Sequence, residues 1–475
     1  MRLADHRALT AAIATGRPLI LVYVHDEETA GPWRAGGACR WWLAKSLEAL
    51  SRDIERRGGR LLLRRGRAVN VIAELTGRTN AEAVYVTRRY EPWAVEEEKS
   101  LLAEAQAQGF AVKRYGGHLL REPEELRTKS GEPYKVYTPF WRAFAFGFTP
   151  AKALSPPKAI PNFAAALPSD TLDDWGLLPS RPDWAAGLRA EWTPGEAGAK
   201  RRLKAFLDTA LAPYAEARDR PDRHGTSRLS PHLAFGEISP AAIWRAATDA
   251  AAETPGIDRS RETFLKEMVW REFSYGLLVH WPDLPNAPFR KDFAAFPWRE
   301  SSMHLRAWQR GETGYPIVDA GMRELWATGY MHNRVRMIAA SFLVKHLLIP
   351  WQSGAKWFFD TLVDADLANN SASWQWIAGS GADAAPYFRI FNPQTQGEKF
   401  DSDGVYVRRW VPELSKLSAD HIHAPWTASA DVLARAGVVL GKTYPAPIVD
   451  HAAARARALA AYGQRNFPAD HKPIA

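Results

Sequence analysis

The sequence contains a single cysteine, Cys39. An intramolecular disulfide is therefore impossible, cysteine-rich metal clusters are excluded, and a reducing interior suits the chain. It also lacks any charge-free run of roughly 18 apolar residues. The nearest approach, Met337–Trp351, is broken by Lys345 and His346, so a membrane span is excluded. Met1–Thr10 carries charges and no apolar core, which gives no secretory leader and an expected cytoplasmic location. No G-x-G-x-x-G follows an apparent strand, and no internal repeat is present. Gly437-Val-Val-Leu-Gly-Lys-Thr443 comes close to a phosphate-binding loop, but Ala436 stands where its first glycine is needed, so a nucleotide hydrolase is dismissed. His421 and His423 have no third ligand nearby. They read as a surface turn, and no metal is expected.

What is abundant is basic charge and tryptophan. Lys plus Arg number 62 against 53 Asp plus Glu, a net charge of +9 that suits a polyanionic partner. Tryptophan numbers 20, equal to Phe and above Tyr at 14, which points to stacking on bases or to moving electrons. A length of 475 residues gives a prior of about three domains, or two large ones.

The first part alternates strand and helix patterns. Leu19–Val24, Arg60–Leu63, Ala83–Val86 and Phe110–Tyr115 read as strands; Ala38–Arg56, Val69–Leu75 and Trp93–Gln108 read as helices, the first stopped by Gly58-Gly59 and the last by Gly109. This alternation predicts an α/β N-terminal domain with an open parallel, Rossmann-like sheet over residues 1–130. Residues 131–195 read as an interdomain linker, because Thr149–Asp170 holds five prolines amid alanines and would wrap or span rather than fold. From 196 to 475 helical patterns dominate, giving a large all-α C-terminal domain. Ser239-Pro240 opens one helix with a serine cap. Met331–Leu348 is the clearest helix: Val335, Ile338, Ala339 and Phe342 share one face, and Asn333, Arg336 and Met337 the opposite one.

Three segments carry possible chemistry. Gly225-Thr-Ser-Arg-Leu-Ser230 offers hydroxyls and a guanidinium to phosphates, or merely caps the following helix. In Asp364-Ala-Asp366 the two carboxylates point the same way on extended backbone. They could accept from cofactor hydroxyls or ring N–H groups, bind a hard metal, or form a solvated turn. Asn369-Asn-Ser-Ala-Ser-Trp-Gln-Trp376, running on to Phe400, sets small polar residues beside paired indoles, as close approach to a flat ligand requires.

Taken with Trp270-Arg-Glu-Phe273, Gly314-Tyr-Pro-Ile-Val-Asp-Ala320 and Met331-His-Asn-Arg-Val-Arg-Met337, these blocks closely resemble the DNA photolyase/cryptochrome family, specifically the microbial (class I) cyclobutane pyrimidine dimer photolyases. They follow in order over about 175 residues, and a weaker likeness extends over nearly the whole chain.

The resemblance implies that the all-α domain binds FAD. Tyr214, Thr226, Ser227, Arg228, Leu229 and Ser230 would contact its phosphates, with Arg228 neutralising charge. Asp364 and Asp366 would hold the ribityl and ring portions, Arg336 would pair with Asp364, and Asn370 would lie near the flavin N5. Trp270 and Trp376 would sandwich a pyrimidine dimer, and Glu267 would meet its carbonyl edge. Asn333 and Met337 would line the opposite wall, and Arg271, Arg334, Gln396 and Lys399 would grip the DNA backbone. Trp374, Trp351 and Trp298 would relay electrons from the surface to the flavin. The implied activity is light-dependent repair of cyclobutane dimers in UV-damaged DNA by a monomer, through one electron lent by excited reduced FAD and returned. The alternative is a cryptochrome-like blue-light receptor without repair activity.

Two features depart from the family pattern. Its chains begin with a strand followed by Arg-Asp-Leu-Arg-Leu, whereas Met1-Arg-Leu-Ala-Asp5 matches only the end of that segment. The first strand is therefore expected to be missing, either because the start codon is assigned late, the favoured reading, or because the protein lacks one strand. The pair Asn-Glu expected after Tyr90-Glu91 for a folate antenna is replaced by Pro92-Trp93, which leaves deazaflavin, methenyltetrahydrofolate or no antenna open.

Overall fold

A computed structural model describes residues 1–384 and 388–464 of the chain. Ala385, Pro386 and Tyr387, within the run from Asp383 to Phe400, lie outside the described residues. The chain divides into two compact units. One comprises Met1–Ala212, Ser227–Pro282 and Val363–Ala368; the other comprises Pro213–Thr226, Asp283–Leu362 and Asn369–Ala475.

The first unit opens with helix α1 (Arg7–Ile13), then alternates β1 (Leu21–His25), α2 (Gly37–Glu55), β2 (Leu61–Arg65), α3 (Ala68–Thr79), β3 (Ala83–Thr87), α4 (Pro92–Gln108) and β4 (Ala111–Tyr115). Local signals explain the boundaries. α3 ends where Asn80 takes a left-handed conformation at φ 52°, and α4 starts on Pro92 and stops at Gly109 with φ 80°. Each strand lies within one or two residues of its predicted span. β1 pairs with β2 and β3 with β4, both in parallel, but they form two separate two-stranded ladders. The buried faces of α2 carry Trp41, Trp42, Leu43 and Leu47. Trp42 packs against Trp192, His232 and Phe235, and its indole N–H donates to Glu237 at 2.9 Å. Much of the tryptophan excess is thus core packing, since Trp41, Trp42, Trp308 and Trp351 are fully buried.

The proline-rich stretch is bonded to its own unit, and Ile160 within it is buried in that unit's core beside Leu43 and Leu47. Leu154 N–H donates to Asp5, Leu19 bridges Asn162, and Asp170 N–H donates to the Leu63 carbonyl at 2.8 Å. The same unit contains α5 (Tyr137–Ala145), the short helix Ser230–Ala234 and the long helix Asp258–His280.

The second unit is helical. Its central segment, predicted as one helix to Leu348, is α-helical over Asn333–Ser341 and then widens into a π-helix over Phe342–His346. Its faces follow the predicted division: Val335, Ile338, Ala339 and Phe342 are buried, Asn333 is exposed, and Arg336 and Met337 are half-buried. The expected surface turn at His421 and His423 needs correction. His423 is buried, with its Nε2 2.7 Å from the Asp401 carbonyl. No group of three or more residues suited to a metal occurs among the described residues.

Candidate cofactor and substrate site

In the first unit the backbone turns at Arg228, which takes a left-handed φ of 52° just ahead of the helix Ser230–Ala234. The turn places Ser227 Oγ 3.4 Å from Leu229 N–H and buries the Leu229 side chain. Arg228 forms an ion pair with Glu191 at 2.8 Å and lies over the Trp192 ring at 4.8 Å. Ser230 Oγ donates to Asp364 at 2.6 Å, and the Tyr275 hydroxyl donates to Asp366. Both carboxylates of the Asp-Ala-Asp run are thereby held by hydroxyl donors. The loop supplies hydroxyls and a guanidinium, and the run supplies acceptors, Asp364 buried and Asp366 half-buried. That donor set fits a flavin nucleotide, whose diphosphate needs donors and whose sugar hydroxyls and ring N–H need acceptors.

Beyond Asp366 lies a network that sequence reasoning missed. The Tyr275 hydroxyl also meets His118 Nε2 at 2.8 Å, and Arg271 reaches the same ring nitrogen at 2.7 Å and the His118 carbonyl at 3.0 Å. Glu272 pairs with Arg271 at 3.3 Å and accepts from the backbone of Leu120 and Arg121. Arg271 is 8% exposed and its guanidinium is engaged by His118 and Glu272 in this interior network. The available signal was the position of Tyr275, Arg271 and Glu272 on one helix; His118, in a loop after β4, gave none.

Burial raises the Glu272 carboxyl to about 7. The unfolded chain releases this proton near 4.5, so the folded state holds more protons between those values and loses stability as pH rises through them. Glu272→Gln is expected to remove a slope worth on the order of 3 kcal/mol between pH 4.5 and 7. Denaturation midpoints of both proteins across that range check it.

Also in the first unit, Trp270 is half-buried, with its indole stacked on Tyr137 at 3.7 Å and an interplanar angle of 7°. Glu267, one turn earlier on the helix Asp258–His280, is half-buried.

The remaining expected residues belong to the second unit. Tyr214 is buried beneath Arg218, and Thr226 is half-buried. Arg336 donates to the Met331 carbonyl at 2.7 Å and lies over Tyr330. On the helix Leu367–Ala378, Asn370 donates its amide to the Ala355 carbonyl at 3.0 Å. Gln375 anchors that helix through Phe289 N–H and the carbonyls of Leu284 and Ala287. Trp376 is half-buried and donates to the Asp383 carbonyl at 3.1 Å. Arg334 forms a two-pronged pair with Asp219, and both it and Lys399 lie over the Phe400 ring, at 4.4 and 5.3 Å. Gln396 shares the helix Pro393–Phe400 with Lys399, one turn apart.

Trp374 and Trp351 are buried, whereas Trp298 is half-buried on Phe296, with ring centroids 4.4 Å apart. Trp374 packs edge-on against Phe358 at 5.0 Å and Trp308 at 6.2 Å. Gly354 makes room for it, because a Cβ there would stand 2.1 Å from the Trp374 ring and 2.7 Å from Leu343. Gly354→Ala is expected to cost about 1–3 kcal/mol through overpacking, read from urea denaturation.

Comparison with known proteins places this geometry. Residues 1–161 match the family described as DNA photolyase, and residues 264–464 match the FAD binding domain of DNA photolyase. The deoxyribodipyrimidine photo-lyase of Agrobacterium fabrum is 54% identical over 97% of this chain and 95% of its own length. The chain belongs to the DNA photolyase/cryptochrome family. Photolyase-type architecture accounts for both parts, a small α/β domain with short parallel strands and a large helical domain that binds FAD. A crystal structure titled a bacterial class III photolyase, from Agrobacterium tumefaciens, matches with a TM-score of 0.94 and 54% identity, covering 97% of this chain and 95% of that one. The class I likeness expected from the motifs is therefore not supported. Cryptochromes are relatives too: cryptochrome-1 of Arabidopsis thaliana is 37% identical over 96% of this chain and 68% of its own length. No helix among the described residues is long and apolar enough to cross a membrane.

Proposed function

We propose that this photolyase-family protein repairs cyclobutane pyrimidine dimers in UV-damaged DNA in a light-dependent reaction, as a cytoplasmic monomer of the class III type. The observation that carries the reading is the fixed indole of Trp270. Tyr137 covers one face of the ring, and a half-buried, oriented indole suits stacking of a flat base on its other face, tolerant of sequence. Trp376 supplies the second stacking surface, and Glu267 presents a carboxyl to the dimer's carbonyl edge as charge develops there. Asn333 and Met337 form the remaining wall.

Lys399, Gln396 and Arg334 contact the DNA backbone, which positions the duplex without reading its sequence. Arg271 is left out of that set because it is buried. Ser227, Arg228, Leu229 and Ser230, with Tyr214 and Thr226, hold the diphosphate of FAD; Asp364, Asp366 and Arg336 hold its sugar and ring; and Asn370 stands beside the reactive edge of the ring. When bound, reduced FAD supplies the light-driven electron that opens the cyclobutane ring. Trp298, Trp351 and Trp374 supply electrons that restore the reduced cofactor. The functional division into 1–130, 131–195 and 196–475 belongs to the same reading.

The likeness to cryptochrome-1 supports one other reading, a blue-light receptor without repair activity. A dimer-containing oligonucleotide, incubated with the purified reduced protein under blue light and in darkness, separates them. Light-dependent recovery of thymine absorbance supports repair, and bound flavin without recovery transfers the function to sensing.

A further inference from the structure

Behind Asp366 three side chains of the same unit converge, and the reaction described above uses none of them. Arg271 and Tyr275 lie one turn apart on the helix Asp258–His280, and His118 lies in the loop after β4. Tyr275 is buried. Its ring is fixed on two sides, edge-on to Tyr90 at 5.5 Å and with the Arg271 guanidinium over its face at 4.9 Å.

The Tyr275 hydroxyl stands between two acceptors, His118 Nε2 at 2.8 Å and the Asp366 carboxylate. It has one proton to give. Arg271 decides where that proton goes, because its Nη2 reaches the same Nε2 at 2.7 Å. A guanidinium only donates, and an unprotonated ring nitrogen has one lone pair, so the imidazole is already taken. Arg271 is itself held, donating from Nη1 to the His118 carbonyl at 3.0 Å and pairing with Glu272 at 3.3 Å. Burial and the Arg271 charge hold His118 well below the usual imidazole range, which keeps the ring neutral. Burial and the Asp366 charge push the Tyr275 phenol well above its usual range, which keeps the proton on its oxygen. The proton therefore turns to Asp366, in a charge-assisted bond that fixes the plane of the carboxylate and answers part of its charge.

We propose that Tyr275 is a positioning residue for the cofactor: it acts through Asp366, orienting that carboxylate and tempering the negative charge it presents to the flavin ring, a role that rests on reading Asp366 as a cofactor contact. Reduction adds negative charge to a flavin ring, so a barer carboxylate beside it disfavours the reduced form.

Spectroelectrochemical titration of the FAD-loaded protein tests this through the sign of the change. Tyr275→Phe keeps the ring packing and removes only the hydroxyl. The flavin midpoint potential should fall, the reduction equilibrium shifting roughly tenfold, or about 30 mV for two electrons. Asp366→Asn should raise the potential, because the charge itself is gone. In the double variant, Tyr275→Phe should add nothing to Asp366→Asn, since its only route to the flavin has been removed. An unchanged potential in Tyr275→Phe beside a raised one in Asp366→Asn overturns the proposal alone; no shift in Asp366→Asn overturns it together with the reading of Asp366. Should Tyr275→Phe fail to fold, infrared difference spectra of protein with ring-labelled tyrosine decide instead. Flavin reduction should shift one tyrosine C–O band in the wild type and none in Asp366→Asn, and the same bands in both overturn the proposal.

Discussion

Trp298→Phe is expected to leave repair by the chemically reduced protein unchanged while stopping light-driven reduction of its oxidised flavin. Trp298 is half-buried, packed on Phe296 at the margin of an apolar cluster that includes Phe293, Leu348, Phe388 and Tyr462. Phenylalanine keeps most of that contact, so the cost in stability should be at most about 1 kcal/mol. It removes the indole, which is oxidised far more readily than a benzene ring. The buried pair Trp351 and Trp374 would still pass a charge between them, but the charge would find no donor in contact with solvent and would return to the flavin. Transient absorption after a flash, together with the rate of flavin bleaching under steady blue light, measures the loss. Photoreduction at the wild-type rate would make Trp298 a packing residue.

The alternating pattern of the first unit was legible because three of its strands are short runs rich in Leu, Val and Tyr, and because Gly58-Gly59 and Gly109 punctuate the helices between them. The two faces of the helix beginning at Asn333 were legible from its period. Its end was not, since the shift to π-helical bonding at Phe342 arises from packing and leaves no change in hydrophobic spacing. Arg271 shows a different limit. A guanidinium next to a stacking tryptophan reads naturally as a phosphate contact, but helical geometry turns adjacent residues about 100° apart, which sends Arg271 inward to His118, 153 positions earlier. The Arg228–Glu191 pair was hidden for the same reason, because long-range ion pairs have no local signature. Trp308 went unnoticed beside Trp374 since an isolated indole carries no pattern of its own. The motifs pointed to FAD, which the match to the FAD binding domain bears out, while the class I likeness is not supported because the same blocks recur across the family.

Trp376→Ala is expected to weaken binding of dimer-containing DNA by about 1–3 kcal/mol, or about 5- to 150-fold. The helix that carries it is pinned by Gln375, whose amide bridges Leu284 and Ala287 while its carbonyl accepts from Phe289. Trp376 is itself oriented by the bond from its indole N–H to the Asp383 carbonyl. The ring therefore enters binding already ordered, and truncation removes stacking without relieving an entropy cost. Binding of undamaged DNA should change little, because that affinity is electrostatic. Lys399→Ala makes the converse case: it should weaken damaged and undamaged DNA alike and reduce the salt slope by about one unit. Titrations of both variants with damaged and undamaged oligonucleotides, at several salt concentrations, separate stacking from charge. If Trp376→Ala lost affinity equally for both, the indole would be supporting the backbone contact surface, and dimer recognition would rest on Trp270 alone.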